Sequence, residues 1–334
     1  MKILVTGSAG FIGSHLAIKL LNLGYQVVGL DNHNDYYDQN LKQDRINLFL
    51  SHKSYKHFQV DLIDKTELSK IFEKYEFEVV VNLAAQAGVR YSIEKPDLYI
   101  QSNVVGFLNL LELSKDYKVK HFVYASSSSV YGANSSIPYS VHQNVNHPIN
   151  IYAATKKTNE LFAHTYSALY NLPTTGVRFF TVYGPWGRPD MAPFIFTKNI
   201  LENKPIKIYN YGNHSRDFTF IDDIINGLIR IIDRPSRPNN DWSSSNPDPA
   251  SSFAPYRIYN IGNSKPVKIL EFIEAIEVVT GKKAIKEFLP MQPGEIENTW
   301  ADVSDLINDL GYHPTTSYTD GVDSFVKWYK SYYF

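Results

Sequence analysis

Through the first half of the chain, short unbroken apolar runs alternate with longer segments whose apolar positions recur every three or four residues. The short runs predict strands over residues 2–6, 26–30, 57–61, 79–83 and 121–125, and the periodic segments predict helices over 11–23, 65–75, 98–117 and 152–170. Runs with hardly a polar break, such as Val79-Val80-Val81, suit a sheet covered on both faces. Strands alternating with helices in this way build βαβ units, so the expected class is α/β with a doubly wound parallel sheet. After residue 180 the pattern loosens, and helices are expected near 192–202, 222–233, 269–280 and 319–330. This part reads as a smaller C-terminal α/β lobe. Residues 234–255, rich in proline and serine and poor in apolar side chains, read as an exposed loop, either a solvated connection or a lid.

Composition narrows the function. Thirty-three basic against 34 acidic side chains give a net charge of −1, so no overall field draws the chain to nucleic acid or an anionic membrane. The absence of cysteine removes disulfides, a thiolate nucleophile and cysteine-held metals, and no metal site is expected. No apolar stretch reaches the ~20 residues of a membrane span, and the N-terminal apolar run ends at Gly7, too short for a signal segment. A soluble, cytoplasmic protein without nucleic-acid or membrane partners is expected.

Gly7-Ser8-Ala9-Gly10-Phe11-Ile12-Gly13 lies between the first strand and the first helix, the setting a phosphate-cradling glycine loop needs. Gly7 allows the tight turn, Gly10 lets a pyrophosphate approach the backbone, and Gly13 permits close helix–strand packing. The helix N-terminus adds free N–H groups for the phosphates. Asp31, at the end of the second strand, is placed to accept bonds from ribose hydroxyls and to repel a 2′-phosphate, which favours NAD over NADP. Asp61-Leu62 sits where a carboxylate reaches an adenine amino group or caps the next helix. Residues 1–180 are therefore read as an NAD-binding Rossmann domain, to which some later segments return, and 181–334 as mainly a substrate lobe.

Tyr152 and Lys156 stand at i and i+4, on one helix face. A nearby cation stabilises a phenolate and makes tyrosine usable for general acid–base work. Ser126-Ser127-Ser128-Ser129 follows the fifth strand, so its hydroxyls are expected at the carboxyl edge of the sheet, as ligand contacts or as turn formers. Helices 98–117 and 152–170 carry apolar residues on more than one face, which suits a homodimer through an intersubunit bundle or burial within one subunit.

TGSAGFIG, the strand-end Asp31, SSSSVYG, YAATK and RDFTFIDD together resemble the extended short-chain dehydrogenase/reductases, and among them the NAD-dependent nucleotide-sugar epimerases. DNHNDYYD from Asp31, NLAAQAGVRYS from Asn82 and RFFTVYGPWGRPDM from Arg178 are most similar to the UDP-glucuronate 4-epimerase branch. The resemblance implies a tightly held NAD, a UDP-sugar substrate, Tyr152 as the proton acceptor, Ser127 on the C4 oxygen and Lys156 on the nicotinamide ribose. It further implies that Phe11, Ile12, Asn32, Leu83, Ala84, Ala85, Gln86, Asn103 and Phe180 line the cofactor. Arg216 matches a phosphate-binding arginine or makes a surface salt bridge. Gln292 and Glu295 fall on a nucleotide-contacting loop that galactose-type epimerases write with Arg and Asp.

Dehydratases of that superfamily carry an Asp-Glu pair where this chain has Ser128 and Ser129, which are no acid–base pair at neutral pH. These serines, with Ser127 and Thr181, make a hydroxyl-rich wall suited to a sugar carboxylate, and Arg188 and Arg90 are candidates to pair with its charge. The expected reaction is C4 epimerisation of UDP-glucuronate to UDP-galacturonate. Decarboxylation of UDP-glucuronate ranks second, epimerisation of UDP-glucose or UDP-N-acetylglucosamine third, and an NAD-binding scaffold without catalysis last.

Overall fold

The computed structural model describes residues 1–334 other than Pro293 and Glu295. Six consecutive strands, β1 (Lys2–Thr6), β2 (Gln26–Asp31), β3 (Tyr55–Gln59), β4 (Val79–Asn82), β5 (His121–Ser127) and β6 (Thr174–Phe179), belong to one sheet. Further strands follow at β7 (Thr181–Tyr183), β8 (Pro205–Ile208), β9 (Ser215–Arg216), β10 (Phe218–Phe220), β11 (Tyr256–Ile261), β12 (Val267–Lys268) and β13 (Ile285–Phe288). Of these, β11 returns to the large sheet, whose seven strands run in the order β11-β6-β5-β4-β1-β2-β3. Every pairing in it is parallel.

The helices are α1 (Phe11–Asn22), α2 (Gln39–Asn47), α3 (Lys65–Lys74), α4 (Val89–Glu94), α5 (Pro96–Tyr99) and α6 (Gly106–Asp116), then α7 (Ile151–Tyr170), α8 (Ala192–Leu201), α9 (Ile221–Ile232), α10 (Ile269–Thr280), α11 (Ser304–Leu310) and α12 (Tyr318–Tyr333). Side chains alternate across a strand, and the apolar strands use both sides. Ile3, Val5, Val79 and Val81 join the cluster that holds Leu16 and Leu20 of α1 and Ile224 and Leu228 of α9. Leu4 and Val80 join the opposite cluster, with Leu68 of α3, Leu110 of α6 and Ala163 of α7. The doubly wound parallel sheet expected from the unbroken apolar runs is thus what the chain forms. The first cluster continues into Phe196 of α8, Ile273 of α10 and Phe325 of α12, so the later helices share its apolar packing.

Four local expectations are corrected. The third strand begins at Tyr55 and ends at Gln59, which leaves Asp61 beyond it. The helix expected over 98–117 is interrupted: α5 is followed by a π-helical turn at Ile100–Val105 before α6 begins. Helix α2 and the strands β6 and β11 were not among the predicted elements. Within 234–255 the chain is not uniformly exposed, because Ala250 and Ser252 are 0% and 1% accessible. Ala250 joins the cluster of Leu4 and Val80, and polar groups anchor the segment further: Ser236 Oγ donates to the carbonyls of Pro255 (2.7 Å) and Thr174 (3.0 Å), and Asp248 Oδ1 accepts from the Ala250 N–H at 3.1 Å. Among the described residues, no helix is long and apolar enough to cross a membrane.

Candidate active site

The carboxyl ends of β1, β4 and β5 open onto a cavity of about 390 Å³, at the point where the strand order reverses between β1 and β4. Doubly wound sheets hold ligands in this crevice. Gly7 leaves β1 at φ +70°, and a Cβ there would stand 2.8 Å from the Ala84 nitrogen. At Gly13 a Cβ would stand 2.0 Å from the Gly7 carbonyl oxygen, so only glycine lets α1 press against the loop. No side chain caps α1 at Gly10, which leaves its first N–H groups open to the cavity that Gly10, Phe11, Ile12 and Gly13 line.

Asp31 Oδ2 accepts from Ala9 N–H (3.1 Å) and Oδ1 from His33 N–H (2.9 Å), so the carboxylate braces the loop while lining the cavity. Each oxygen keeps a lone pair for a ligand hydroxyl. Asn32 donates to Asp61 Oδ2 at 2.8 Å, and Asp61 Oδ1 accepts from Ile63 N–H at 3.1 Å. Helix α3 is capped by Asp64, which accepts from Glu67 N–H at 3.0 Å, so the capping alternative for Asp61 does not hold. Leu62, Leu83, Ala84, Ala85 and Gln86 also line the cavity, and Gln86 Nε2 is buried without a hydrogen-bond partner. Asn103 stands behind the wall. Its Oδ1 accepts from Gln86 N–H (2.8 Å), its Nδ2 donates to Gln86 O (3.0 Å) and Thr155 Oγ1 (3.1 Å), and it positions Gln86 without joining the lining.

Asn150 caps α7 by accepting from Ala153 N–H at 2.8 Å, which fixes the turn carrying Tyr152 and, one turn on, Lys156. Burial lifts the Tyr152 phenol above its ordinary value, against the Ser127 hydroxyl bonded to it and the Arg188 charge, both of which pull it down. Burial depresses the Lys156 ammonium to about 8; its Nζ donates to Ala125 O at 2.9 Å and lies 5.9 Å from the centre of the Tyr152 ring. The expected lowering of the phenol by its lysine neighbour is therefore corrected: desolvation is the larger effect, and the cation that opposes it is Arg188. Ser127 ends β5 and accepts from Ser129 N–H at 3.2 Å, starting a short turn that brings Ser128 and Ser129 to the cavity beside Phe180, Thr181 and Arg188.

Other expected contacts lie off this lining. Arg90 stacks over the Tyr209 ring at 4.8 Å. Arg216 donates from Nη1 to the carbonyls of Ser215 (2.9 Å) and Glu297 (2.7 Å). Gln292 is not among the described lining residues, and Glu295 lies outside the described residues.

The model of the NAD dependent epimerase/dehydratase family matches residues 3–262. The chain belongs to that family. It is similar to protein CapI of Staphylococcus aureus, 56% identical over all of this chain and 99% of that protein. It is also similar to UDP-glucuronate 4-epimerase 1 of Arabidopsis thaliana, 45% identical over all of this chain and 77% of that protein. Among solved structures, the UDP-glucuronic acid 4-epimerase of Bacillus cereus, in complex with UDP-glucuronic acid and NAD, superposes over the full length of both chains with a TM-score of 0.88 at 36% identity.

For a family described as NAD-dependent, the residues present fit the cofactor: a glycine cradle that a Cβ would fill, a strand-end carboxylate, and the unpartnered Gln86 amide in the same wall. Sequence reasoning missed several lining residues of the DNHNDYYD segment and α2. Lys42 lines the cavity and donates to Asn34 O (2.6 Å) and Asn34 Oδ1 (2.7 Å). Arg45, fully buried, donates to Ala9 O (3.1 Å), Tyr37 Oη (2.7 Å) and Trp186 O (2.7 Å), tying the glycine loop to the segment that carries Arg188. The available signal was the density of polar and tyrosine residues in DNHNDYYD, of which the sequence reading assigned only Asp31 and Asn32.

Proposed function

We propose that the protein interconverts UDP-glucuronate and UDP-galacturonate by reversible epimerisation at C4. The observation that carries this reading is the cavity wall itself: Tyr152, Ser127 and Lys156 stand beside Ser128, Ser129, Thr181 and Arg188, a proton-transfer trio next to a cationic, hydroxyl-rich surface. Bound NAD supplies the acceptor for the C4 hydrogen and returns it. Tyr152 takes the C4 hydroxyl proton as the 4-keto sugar forms, Ser127 holds the C4 oxygen, and the proton goes back after the sugar has turned its other face. Arg188 and the Ser127 hydroxyl stabilise the phenolate against its burial. Ser128, Ser129, Thr181 and Arg188 grip the carboxylate, which keeps the C5–C6 bond from aligning with the ketone and so suppresses loss of carbon dioxide. Residues 1–180 with β11 serve the cofactor, and the rest of the chain mainly the nucleotide sugar.

We place the working enzyme in the cytoplasm as a homodimer. The π turn and α6 expose Val105 and Leu108, and α7 exposes Ile151, Leu161 and Leu169, apolar side chains at helical spacing on two helices that pack together. The test of the activity is chromatographic separation of nucleotide sugars after incubation with UDP-glucuronate, UDP-glucose and UDP-N-acetylglucosamine in parallel. Conversion of UDP-glucuronate ahead of both neutral sugars supports the reading, and a preference for either neutral sugar contradicts it.

A further inference from the structure

Arg188 is the cation of the sugar-side wall, and it is already engaged. Its Nε donates to Asp190 Oδ1 at 3.0 Å and its Nη2 to Asp190 Oδ2 at 2.5 Å, a two-pronged pair made with a carboxylate only two residues along the chain. Tyr36, from the loop between β2 and α2, lines the same cavity and donates to Asp190 Oδ2 at 3.3 Å. The two side chains of the pair are 23% and 27% accessible, so water reaches both and neither is locked in the core. Both partners are partly accessible, so a competing carboxylate can reach the guanidinium. A second carboxylate with the same two-oxygen geometry can replace Asp190 on the guanidinium at little cost, while a neutral hydroxymethyl group brings no charge with which to compete.

We propose that Asp190 is a stand-in anion: it holds Arg188 poised at the sugar subsite and yields it to the carboxylate of an acidic nucleotide sugar, leaving the pair closed when the sugar is neutral. This rests on the proposed function and deepens it. Asp190 keeps a partner when Arg188 is taken, because the Tyr36 hydroxyl remains bonded to it. Asp190 therefore holds Arg188 in place and competes with the carboxylate of an acidic sugar, while a neutral sugar binds with the pair undisturbed. Arg188 and Tyr152 line the same cavity, which places the exchange in the proposed reaction site.

The experiment is calorimetric titration of the NAD-loaded protein and of its Asp190→Asn and Asp190→Glu variants with UDP-glucuronate and UDP-glucose, alongside turnover of the unsubstituted protein. Removing the competing anion is expected to tighten UDP-glucuronate binding about threefold or more, with KM following, while UDP-glucose binding stays unchanged and Asp190→Glu returns the original affinity. Weaker or unchanged UDP-glucuronate binding by Asp190→Asn, or an equal shift for both sugars, overturns the proposal while turnover of UDP-glucuronate leaves the epimerase reading standing. Failure of the unsubstituted protein to bind or turn over UDP-glucuronate overturns both. Should Asp190→Asn not fold, Tyr36→Phe, which releases one bond to Asp190, must move the two sugars apart in the opposite sense, because a loosened Asp190 competes more freely for Arg188; no change in their ratio overturns the proposal.

Discussion

Tyr152 carries the proposed chemistry, and its surroundings explain why one hydroxyl matters so much. The phenol is lifted by burial and relieved by Ser127 and Arg188, so the proton it exchanges is held by a balance of opposed effects. Tyr152→Phe removes the acceptor while keeping the ring against Tyr99, whose centroid is 6.2 Å away. Turnover is expected to fall by ~10²–10⁴-fold, with nucleotide-sugar affinity nearly unchanged; steady-state kinetics with a binding titration checks this. Lys156 gives a second prediction. Burial has brought its ammonium down to about 8, so the charge is present below that pH and lost above it. The kcat profile is expected to decline on the alkaline side near pH 8, and Lys156→Arg, which stays charged, is expected to lose that decline. A decline that persists in the arginine variant would place its origin elsewhere.

One turn beyond Lys156, α7 is fastened to the sheet by a buried ion pair. Glu160 and Arg178 are 1% and 0% accessible; Arg178 Nε donates to Glu160 Oε1 at 2.8 Å, Nη2 to Oε2 at 3.0 Å, and Ser126 Oγ also donates to Glu160 at 2.7 Å. Burial alone would raise the Glu160 carboxyl, but Arg178, Lys157 and Ser126 outweigh it and hold it down to about 2. A carboxyl depressed from 4.5 in this way stabilises the fold above its ordinary value, and the contribution is lost as pH falls from about 4.5 toward 2. Glu160→Gln leaves Arg178 buried without its counter-charge, and urea unfolding at neutral pH is expected to show a loss of ~3–5 kcal/mol. The elements legible in the sequence are those whose burial is apolar: β1, β4 and β5 read as unbroken hydrophobic runs and α9 as a clear stripe. Helix α2 escaped because its buried residues include Lys42 and Arg45, polar side chains satisfied by carbonyls and a tyrosine. Strand β6 escaped because Thr174, Thr175 and Arg178 are buried through hydrogen bonds, which no hydropathy pattern records. The same division holds in the site. Glycine loop, Asp31, serines, Tyr152 and Lys156 announce themselves by motif, while Arg45 behind the glycine loop and Asp190 on Arg188 become visible only when distant segments meet.

In the whole molecule, the sheet order brings five loops from the first half of the chain, and the 180–191 segment that follows β6, to one cavity, and the outward apolar residues of α6 and α7 are the surface proposed for a second copy. Leu161 is 56% accessible on that surface; Leu161→Asp is expected to convert a dimer to a monomer in light scattering without unfolding it, because the side chain leaves no cavity behind. In the proposed reaction one site removes the C4 hydrogen, lets the ketone turn and returns the same hydrogen while the carboxylate stays in place. This is tested most directly by proton NMR of UDP-glucuronate deuterated at C4, incubated with the NAD-loaded protein and no added reductant. UDP-galacturonate is expected to keep its deuterium at C4 and to reach a steady ratio with UDP-glucuronate, with no carbon dioxide released. A UDP-pentose with carbon dioxide, or product whose C4 deuterium has been replaced from solvent, would contradict it.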